Sequence, residues 1–252
     1  MYKYKNNNIK TLKITNCDIY NIILVLYLLE QRKDLCTFSH MKLPLLPLQS
    51  IFFPGETVPL HIFEDRYKQL INDCRDEAIT FGIPVFINNK MEYGVEVQLV
   101  EVVNTYESGE MDVVCVARQV FRLLAFDNIM DDKLYAGGIV KLIEYDYVAT
   151  DEKKQTIING IKQLYEIMEV PYTPINVQEF NSFTLAHKIG LSFDQEYQLL
   201  QIPTENDRLN FIGLHLTSTI TVLSEVERTR KIIELNGHFK NFDPLDFKDI
   251  EM

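Results

Sequence analysis

The chain has 252 residues, of which 46% are apolar and 24% are charged, enough apolar material for one large core or two small ones. Its formal net charge is −11, and because residues 1–40 carry six bases against three acids, the remainder carries 19 bases against 33 acids, or −14. A body this acidic repels phosphate backbones, which argues against general nucleic-acid binding.

Residues 1–40 contain the most apolar run of the chain, residues 19–29, which is too short to span a membrane. Lysines precede this run as in a signal peptide, but Asp18 adjoins it and no small residues prepare a cleavage site. The Lys, Asn, Ile and Tyr bias of residues 1–16 is typical of translated AT-rich non-coding DNA. We predict that residues 1–40 are an extension that is disordered or absent from a mature protein starting at Met41. A signal or anchor segment is the alternative.

Residues 41–150 are predicted to form a β-rich lobe. The prolines of residues 43–48 favour extended backbone, and Pro54-Gly55 fits a tight turn. One helix follows, because apolar residues recur there at helical spacing on one face. These residues are Phe63, Tyr67, Leu70, Ile71 and Cys74.

Further strands are predicted over residues 83–87, 95–103, 111–126 and 134–148. The second of these alternates apolar and polar residues at first, as a half-buried strand should. Gly137-Gly138 indicates a bulge or a close approach between backbones. Short strands joined by tight turns at near-regular spacing predict a small barrel or sandwich.

Residues 151–252 are predicted to form a helical lobe that ends in a long helix. The first helix stops before Pro171, the second covers residues 176–188, and Ser192 with Gln195 forms a capping box for a short third. Thr204 caps a fourth helix that extends to about Asn236, with a glycine next as its stop.

The four cysteines are far apart in sequence, with no Cys-x-x-Cys pair, so the pattern supports neither structural zinc nor a disulfide framework. We predict reduced, mostly buried thiols, as in a cytoplasmic protein.

Motifs for catalysis are missing from the sequence: it has no phosphate loop, no Gly-x-Ser-x-Gly and no His-Glu-x-x-His. His61 with Glu64 could supply two metal ligands of the three or four needed, and a small hydrolase using His61 with Glu64 or Asp65 stays open. We prefer a scaffold role, with His61 in the turn into the helix.

Three further histidines, and two arginines of the β-lobe, are predicted to have structural roles. His187, His215 and His238 lack acids at ligand spacing and are interpreted as surface or packing residues. Arg118 and Arg122 are predicted to flank a strand turn and to bond loop carbonyls.

Residues 43–74, LPLLPLQSIFFPGETVPLHIFEDRYKQLINDC, resemble the opening of the N-terminal substrate-binding domain of the Lon protease family. Residues 81–86 and 93–126 are similar to its following strands, with Arg118 and Phe121-Arg122 in the places of an Arg-x-x-Arg-Phe-like pattern. The resemblance implies an α+β fold, a PUA-like β pseudo-barrel followed by a helical bundle. It implies no proteolysis, because in Lon this domain precedes the ATPase and Ser-Lys peptidase domains, and neither is present in this sequence.

The expected function is that of a non-catalytic module, like the short stand-alone Lon-like proteins of bacteria, without cofactor, metal or catalytic residue. It would bind unfolded or apolar protein segments, or a partner such as a separate ATP-dependent protease, in a groove between barrel and bundle or at a barrel edge. Basic partners are favoured, and neither nucleic acid nor membrane is expected. A PUA-like barrel that binds RNA or a nucleotide is the alternative. The candidate contact residues are Phe52, Phe53, His61, Phe63, Arg66 and Arg122.

Overall fold

The computed structural model describes residues 40–239, in which strands predominate before residue 143 and helices after residue 150. The strands are β1 (His40–Leu45), β2 (Thr57–Ile62), β3 (Phe81–Pro84), β4 (Tyr93–Thr105), β5 (Met111–Asp127) and β6 (Ala136–Leu142). The helices are α1 (Asp65–Glu77), α2 (Asp151–Ile167), a 3₁₀ helix at Ala186–Lys188, α3 (Phe193–Gln201) and α4 (Glu205–Phe239). The predicted α+β class is confirmed. The prediction for residues 1–40 concerns positions that, His40 apart, lie outside the described residues.

Strand β5 organises the sheet because it pairs with three other strands. β4 runs along one of its edges, while the other edge is shared by β2, opposite residues 111–116, and by β6, opposite residues 121–127. The strand order is β2-β5-β4-β3-β1-β6, and the added β5–β6 pairing closes five strands into a ring with β2 outside it. β1 and β3 are parallel, with Leu45 opposite Gly82.

Side-chain alternation explains how the strands face the barrel interior. Met111, Val113, Cys115 and Ala117 of β5 are buried, and the residues between them are partly exposed. The close approach predicted at the paired glycines is also confirmed. A Cβ atom on Gly138 would lie 2.6 Å from the carbonyl oxygen of Ala125 on β5, so only glycine fits there.

A second apolar cluster joins the β-lobe to the helices. Phe53, in the loop before β2, is completely buried, and its ring stacks on that of Phe183 with centroids 5.0 Å apart. Val120 of β5 belongs to the same cluster, as do Leu199 of α3 and Leu209 of α4. The two lobes therefore share a continuous core.

The predicted helix caps are confirmed. The capping box of α3 is complete, since Ser192 Oγ accepts from the backbone N–H of Gln195 at 3.3 Å and the Gln195 side chain accepts from that of Ser192 at 2.9 Å. Thr204 Oγ1 accepts from the N–H of Asp207 at the start of α4, at 3.3 Å. Helix α2 stops before Pro171, as predicted.

A buried charge, which the sequence did not reveal, fixes the start of α4. Arg208 and Glu205 are both fully buried and form an ion pair of 2.7 Å, and Arg208 Nε donates to Ser182 Oγ at 2.7 Å. The other guanidinium hydrogens go to the backbone carbonyls of Asp146, Ile202 and Pro203. The cation lies against the rings of Tyr145, Tyr147 and Phe183, with distances to the ring centroids of 4.9, 5.3 and 4.6 Å. Every donor of the buried cation is thus satisfied.

His187 connects the helical lobe to the turn before β2. Its Nδ1 lies 2.8 Å from Glu196 on α3, and its Nε2 lies 3.3 Å from Glu56. Hydrogen bonds to Glu56 and then Glu196 raise the pKa of His187 to about 9, against the opposing effect of burial. No acid lies at ligand spacing from His187 in the sequence, and the tertiary fold supplies its two acidic partners.

Residues 176–188, predicted as a helix, form turns and the short 3₁₀ helix instead. Asparagine side chains explain this difference. Asn176 Oδ1 accepts from the N–H of Gln178 at 3.1 Å, and Asn181 Oδ1 accepts from that of Phe183 at 2.9 Å. Such local bonds offer the backbone an alternative to the helical ladder.

Two helix boundaries also differ from the prediction. Helix α1 begins at Asp65, so Phe63 precedes it and is 59% exposed, whereas Leu70, Ile71 and Cys74 are buried as expected. Helix α4 continues through the glycine that was predicted to stop it. One glycine inside a helix costs only about 1 kcal/mol relative to alanine, too little to end a long helix.

Cys74 and Cys115 are buried and unbridged, as predicted, and burial raises the pKa of each thiol to about 12. Both are therefore poor nucleophiles at neutral pH. Cys17 and Cys36 lie outside the described residues. No helix within residues 40–239 has the length and hydropathy that crossing a membrane requires.

We predict that Arg208→Met lowers the free energy of unfolding by about 3–5 kcal/mol, because it leaves the Glu205 carboxylate buried without its cation. Urea denaturation followed by circular dichroism measures this. Arg75→Met, which removes an exposed arginine paired with Asp76, is the matched control and should leave the midpoint unchanged. Equal effects of the two substitutions would contradict the assigned role.

The ion pairs of His187 predict a dependence of stability on pH. Its pKa is raised from 6.5 to about 9 in the folded protein, so its contribution is complete below pH 6.5 and is lost as the pH rises to 9. We expect a loss of about 1 kcal/mol over this range, because the pair is only half-buried. The urea midpoints of wild type and of His187→Gln are measured at pH 6.5 and at pH 9. The difference between the two proteins should be smaller at pH 9, and an equal difference at both pH values would refute the prediction.

Candidate functional site

Two of the predicted contact residues come together at the end of β2, beside the turn between β4 and β5. The strand register places His61 opposite Asp112 on β5, and the tight turn brings Tyr106 and Glu110 to the same side. With Phe63, these residues form what we call the aromatic–acidic patch: His61, Phe63, Tyr106, Glu110 and Asp112.

Hydrogen bonds hold the polar side chains of the patch. His61 Nδ1 lies 2.7 Å from Asp112 Oδ1, and the Tyr106 hydroxyl donates to Asp112 Oδ2 at 2.6 Å. His61 Nε2 is 3.7 Å from a carboxylate oxygen of Glu110. The bond from Tyr106, followed by that from His61, holds the pKa of Asp112 below its ordinary value. Asp112 is thus an ionised carboxylate that positions two rings.

The rings of the patch face solvent. Phe63 is 59% exposed and Tyr106 is 43% exposed, and the ring of His61 lies between them, with centroids 6.2 and 6.0 Å away. Exposed aromatic side chains that share one surface are typical of a binding site, because they can bury much area at a small entropic cost.

Acidic side chains outnumber basic ones around the rings. In the first turn of α1, Glu64 pairs with Arg66 at 2.7 Å, and Asp65 pairs with Lys68 at 3.2 Å. Glu107, Glu110 and Asp112 add further negative charge from the neighbouring turn and strand. The surface is therefore complementary to a ligand that carries positive charge.

Strand β2 also gives the patch an open backbone edge. Within the part of the chain that the structure describes, β2 pairs with β5 alone, and Thr57, Pro59 and His61 are exposed. An edge strand presents backbone groups with which an extended peptide can pair. Pro59 has no N–H group, so it interrupts this row of donors.

The metal and hydrolase hypotheses find no support in this geometry. The carboxylates within 4 Å of the His61 ring belong to Glu110 and Asp112, not to Glu64 or Asp65, and His61 lies in β2 rather than in the turn into the helix. Among residues 40–235, no three His, Cys, Asp or Glu side chains are grouped so as to hold a metal ion.

The other predicted contact residues lie apart from this pair or beneath the surface. Arg66 stands next to the patch and covers the ring of Tyr67 at 4.5 Å. Phe52 is half-buried against the barrel core, and Phe53 is fully buried between the lobes. Arg122 is exposed on β5 opposite Tyr93, further along the strand.

One further expectation is corrected, and one stays a prediction. The junction of barrel and bundle, where the binding groove is expected, contains the buried side chains around Phe53. Surface grooves lie between α2 and α4, with volumes of about 780 and 790 Å³. Arg118 lies within β5 and donates to the side-chain oxygen of Gln98, not to a loop carbonyl.

Tyr106, Glu110 and Asp112 were not predicted as site residues. The sequence indicates the turn at residues 107–110 and the strand that follows it. It does not reveal that β2 pairs with the first half of β5, and this register alone places Asp112 beside His61.

Comparison with known proteins places the chain among substrate-binding domains. Residues 42–218 match the family described as the ATP-dependent protease La (LON) substrate-binding domain. A Lon N-terminal domain protein from Xanthomonas campestris is 24% identical, with a TM-score of 0.54, over 68% of this chain and 95% of that one. The N-terminal domain of the Mycobacterium avium complex Lon protease is 18% identical, with a TM-score of 0.52, over 70% and 98%. These two structures show a shared fold, and the search of curated proteins gave no match.

We predict that Tyr106→Phe raises the pKa of Asp112 towards the ordinary aspartate value, because it removes the largest of the interactions that lower it. Carboxyl-carbon NMR titration of the full chain measures the pKa. Tyr172→Phe, outside the patch, serves as the control and should leave it unchanged. An unchanged pKa in the Tyr106 variant would show that this hydrogen bond does not form in solution.

Proposed function

Because the chain belongs to the family of the LON substrate-binding domain, we propose that it is a non-catalytic module that binds apolar segments of unfolded proteins. The observation that carries this proposal is the family match over residues 42–218. That range contains the closed barrel, helices α2 and α3, and the buried part of α4. The matching region of Lon is the part that binds substrate, distinct from its ATPase and peptidase domains.

We assign the binding surface to the aromatic–acidic patch and the adjoining edge of β2. Phe63 and Tyr106 supply apolar contact area, and an extended segment pairs with the backbone of β2. Glu110 and Asp112 favour segments in which apolar residues alternate with lysine or arginine. A separate ATP-dependent protease is a further candidate partner, which would receive the bound segment.

The alternative, an RNA- or nucleotide-binding barrel, has no specific support in the structure. The residues outside 1–40 carry a net charge of −14, and the patch itself is acidic. Both features oppose a phosphate backbone.

The proposal is tested by the binding of a permanently unfolded, basic model protein, reduced and carboxamidomethylated lysozyme, to the full chain. We predict that Phe63→Ser weakens binding about tenfold or more, because burying a phenylalanine contributes about 1.5–3 kcal/mol. Fluorescence anisotropy with labelled model protein measures the dissociation constant.

Leu134→Ser is the matched control, because Leu134 is also an exposed apolar residue, 61% accessible, but lies outside the patch. It should bind as wild type does. Absence of binding by wild type would overturn the proposed function, whereas equal loss in both variants would overturn only the assigned surface. A single-stranded RNA bound more tightly than the unfolded protein, with a steep salt dependence, would favour the alternative.

A further inference from the structure

Helix α4 extends well beyond the core that holds its first half. Its 35 residues span about 52 Å at 1.5 Å per residue. Leu209, Ile212 and Leu216 are buried, and Leu223 packs partly against the same cluster. From Ser224 to Leu235 all side chains but that of Glu227 are exposed. Residues 224–235 are therefore largely uncovered by the other residues that the structure describes.

This exposed half carries an apolar stripe. Val222, Val226 and Ile233 are 56%, 60% and 65% exposed, and Thr229 lies between the last two. We call these four residues the distal stripe. At 100° per residue they lie within about 60° of one another, on a face about 100° away from the buried residues of α4. The stripe is thus a separate surface rather than a continuation of the core-facing side.

The spacing of the distal stripe is that of a helix that pairs with another helix. Successive members are four, three and four residues apart, which matches the a and d positions of a heptad repeat. Val226 and Ile233 then occupy a positions, which hold β-branched residues in two-stranded coiled coils, and Val222 and Thr229 occupy d positions.

Charges beside the stripe identify the partner as a second copy of this helix. Glu225 and Arg230 fall at the g and e positions that flank the stripe on its two sides. In a parallel, in-register pair, Glu225 of one copy lies beside Arg230 of the other, twice over by two-fold symmetry. An antiparallel pair would instead bring like positions together. Arg230 pairs within its own helix with Glu234 at 3.1 Å and with Glu227 at 4.0 Å. Because it remains 69% exposed, its guanidinium is accessible to an acid of a second chain.

We propose that the distal stripe is a dimerisation surface, on which a second copy of the chain packs with its helix α4 parallel and in register. Each copy covers the stripe of the other, and the Glu225–Arg230 pairs fix the orientation. This proposal is independent of substrate binding, because the aromatic–acidic patch lies on the β-lobe.

The test is the concentration dependence of the molecular mass of the full chain, measured by sedimentation equilibrium. Wild type should approach twice the mass of one chain as concentration rises. Val226→Lys should weaken the dimer at least tenfold, because it places two cations at the centre of the interface. Leu214→Lys is the matched control, since Leu214 is 76% exposed on α4 but points away from the stripe, and its dimer should match that of wild type.

A charge exchange tests the parallel arrangement. Glu225→Arg and Arg230→Glu should each weaken the dimer several-fold, because each places like charges side by side, and the double variant should restore it. A wild type that stays monomeric at every concentration would overturn the proposal. So would a dimer that Leu214→Lys disrupts as strongly as Val226→Lys, or a double variant that is weaker than both single ones.

Discussion

The pairing of β5 with three strands is the constraint on which the structure depends. One edge of this 17-residue strand serves β2 with its first half and β6 with its second, while β4 occupies the other edge. The β6 pairing closes the ring, and the β2 pairing carries residues 57–62 to its outer side. The β2–β5 register sets His61 against Asp112, so barrel closure and the candidate site both depend on the pairings of one strand.

The helical lobe packs against β5 through a shared cluster of buried apolar side chains. Val120 of β5 and Phe53 of the preceding loop contribute to the cluster that contains the buried residues of α2, α3 and α4. Around this apolar contact, two polar connections fix the orientation: His187 reaches Glu56, and Arg208 reaches the carbonyl of Asp146. Buried side chains of both lobes therefore pack against one another at the junction.

Properties that depend on neighbouring residues could be predicted from the sequence, and properties that depend on distant partners could not. Alternation at the start of β4, the capping box at Ser192 and the turn at Gly55 are local patterns, and each is found in the structure. The register of β2 on β5 joins residues about fifty positions apart, and no local pattern specifies it. Arg208 looks in sequence like an ordinary helical surface residue, because its burial depends on carbonyls that a distant loop supplies. The predicted helix over residues 176–188 is wrong for a different reason. Hydrophobic spacing alone favours a helix there, but asparagine side chains bind the backbone N–H groups instead.

Pro59 opposes aggregation of the protein through the exposed edge of β2. Among the described residues, one edge of β2 has no strand partner, and exposed aromatic side chains lie beside it. Such an edge can pair with further copies of the same strand and form amyloid-like fibres. Because Pro59 has no backbone N–H, it interrupts the continuous ladder of hydrogen bonds that such fibres require. The carbonyl groups of β2 remain available to a short bound peptide. Pro59 thus lets β2 bind a peptide of another chain while it opposes the self-association of β2 edges.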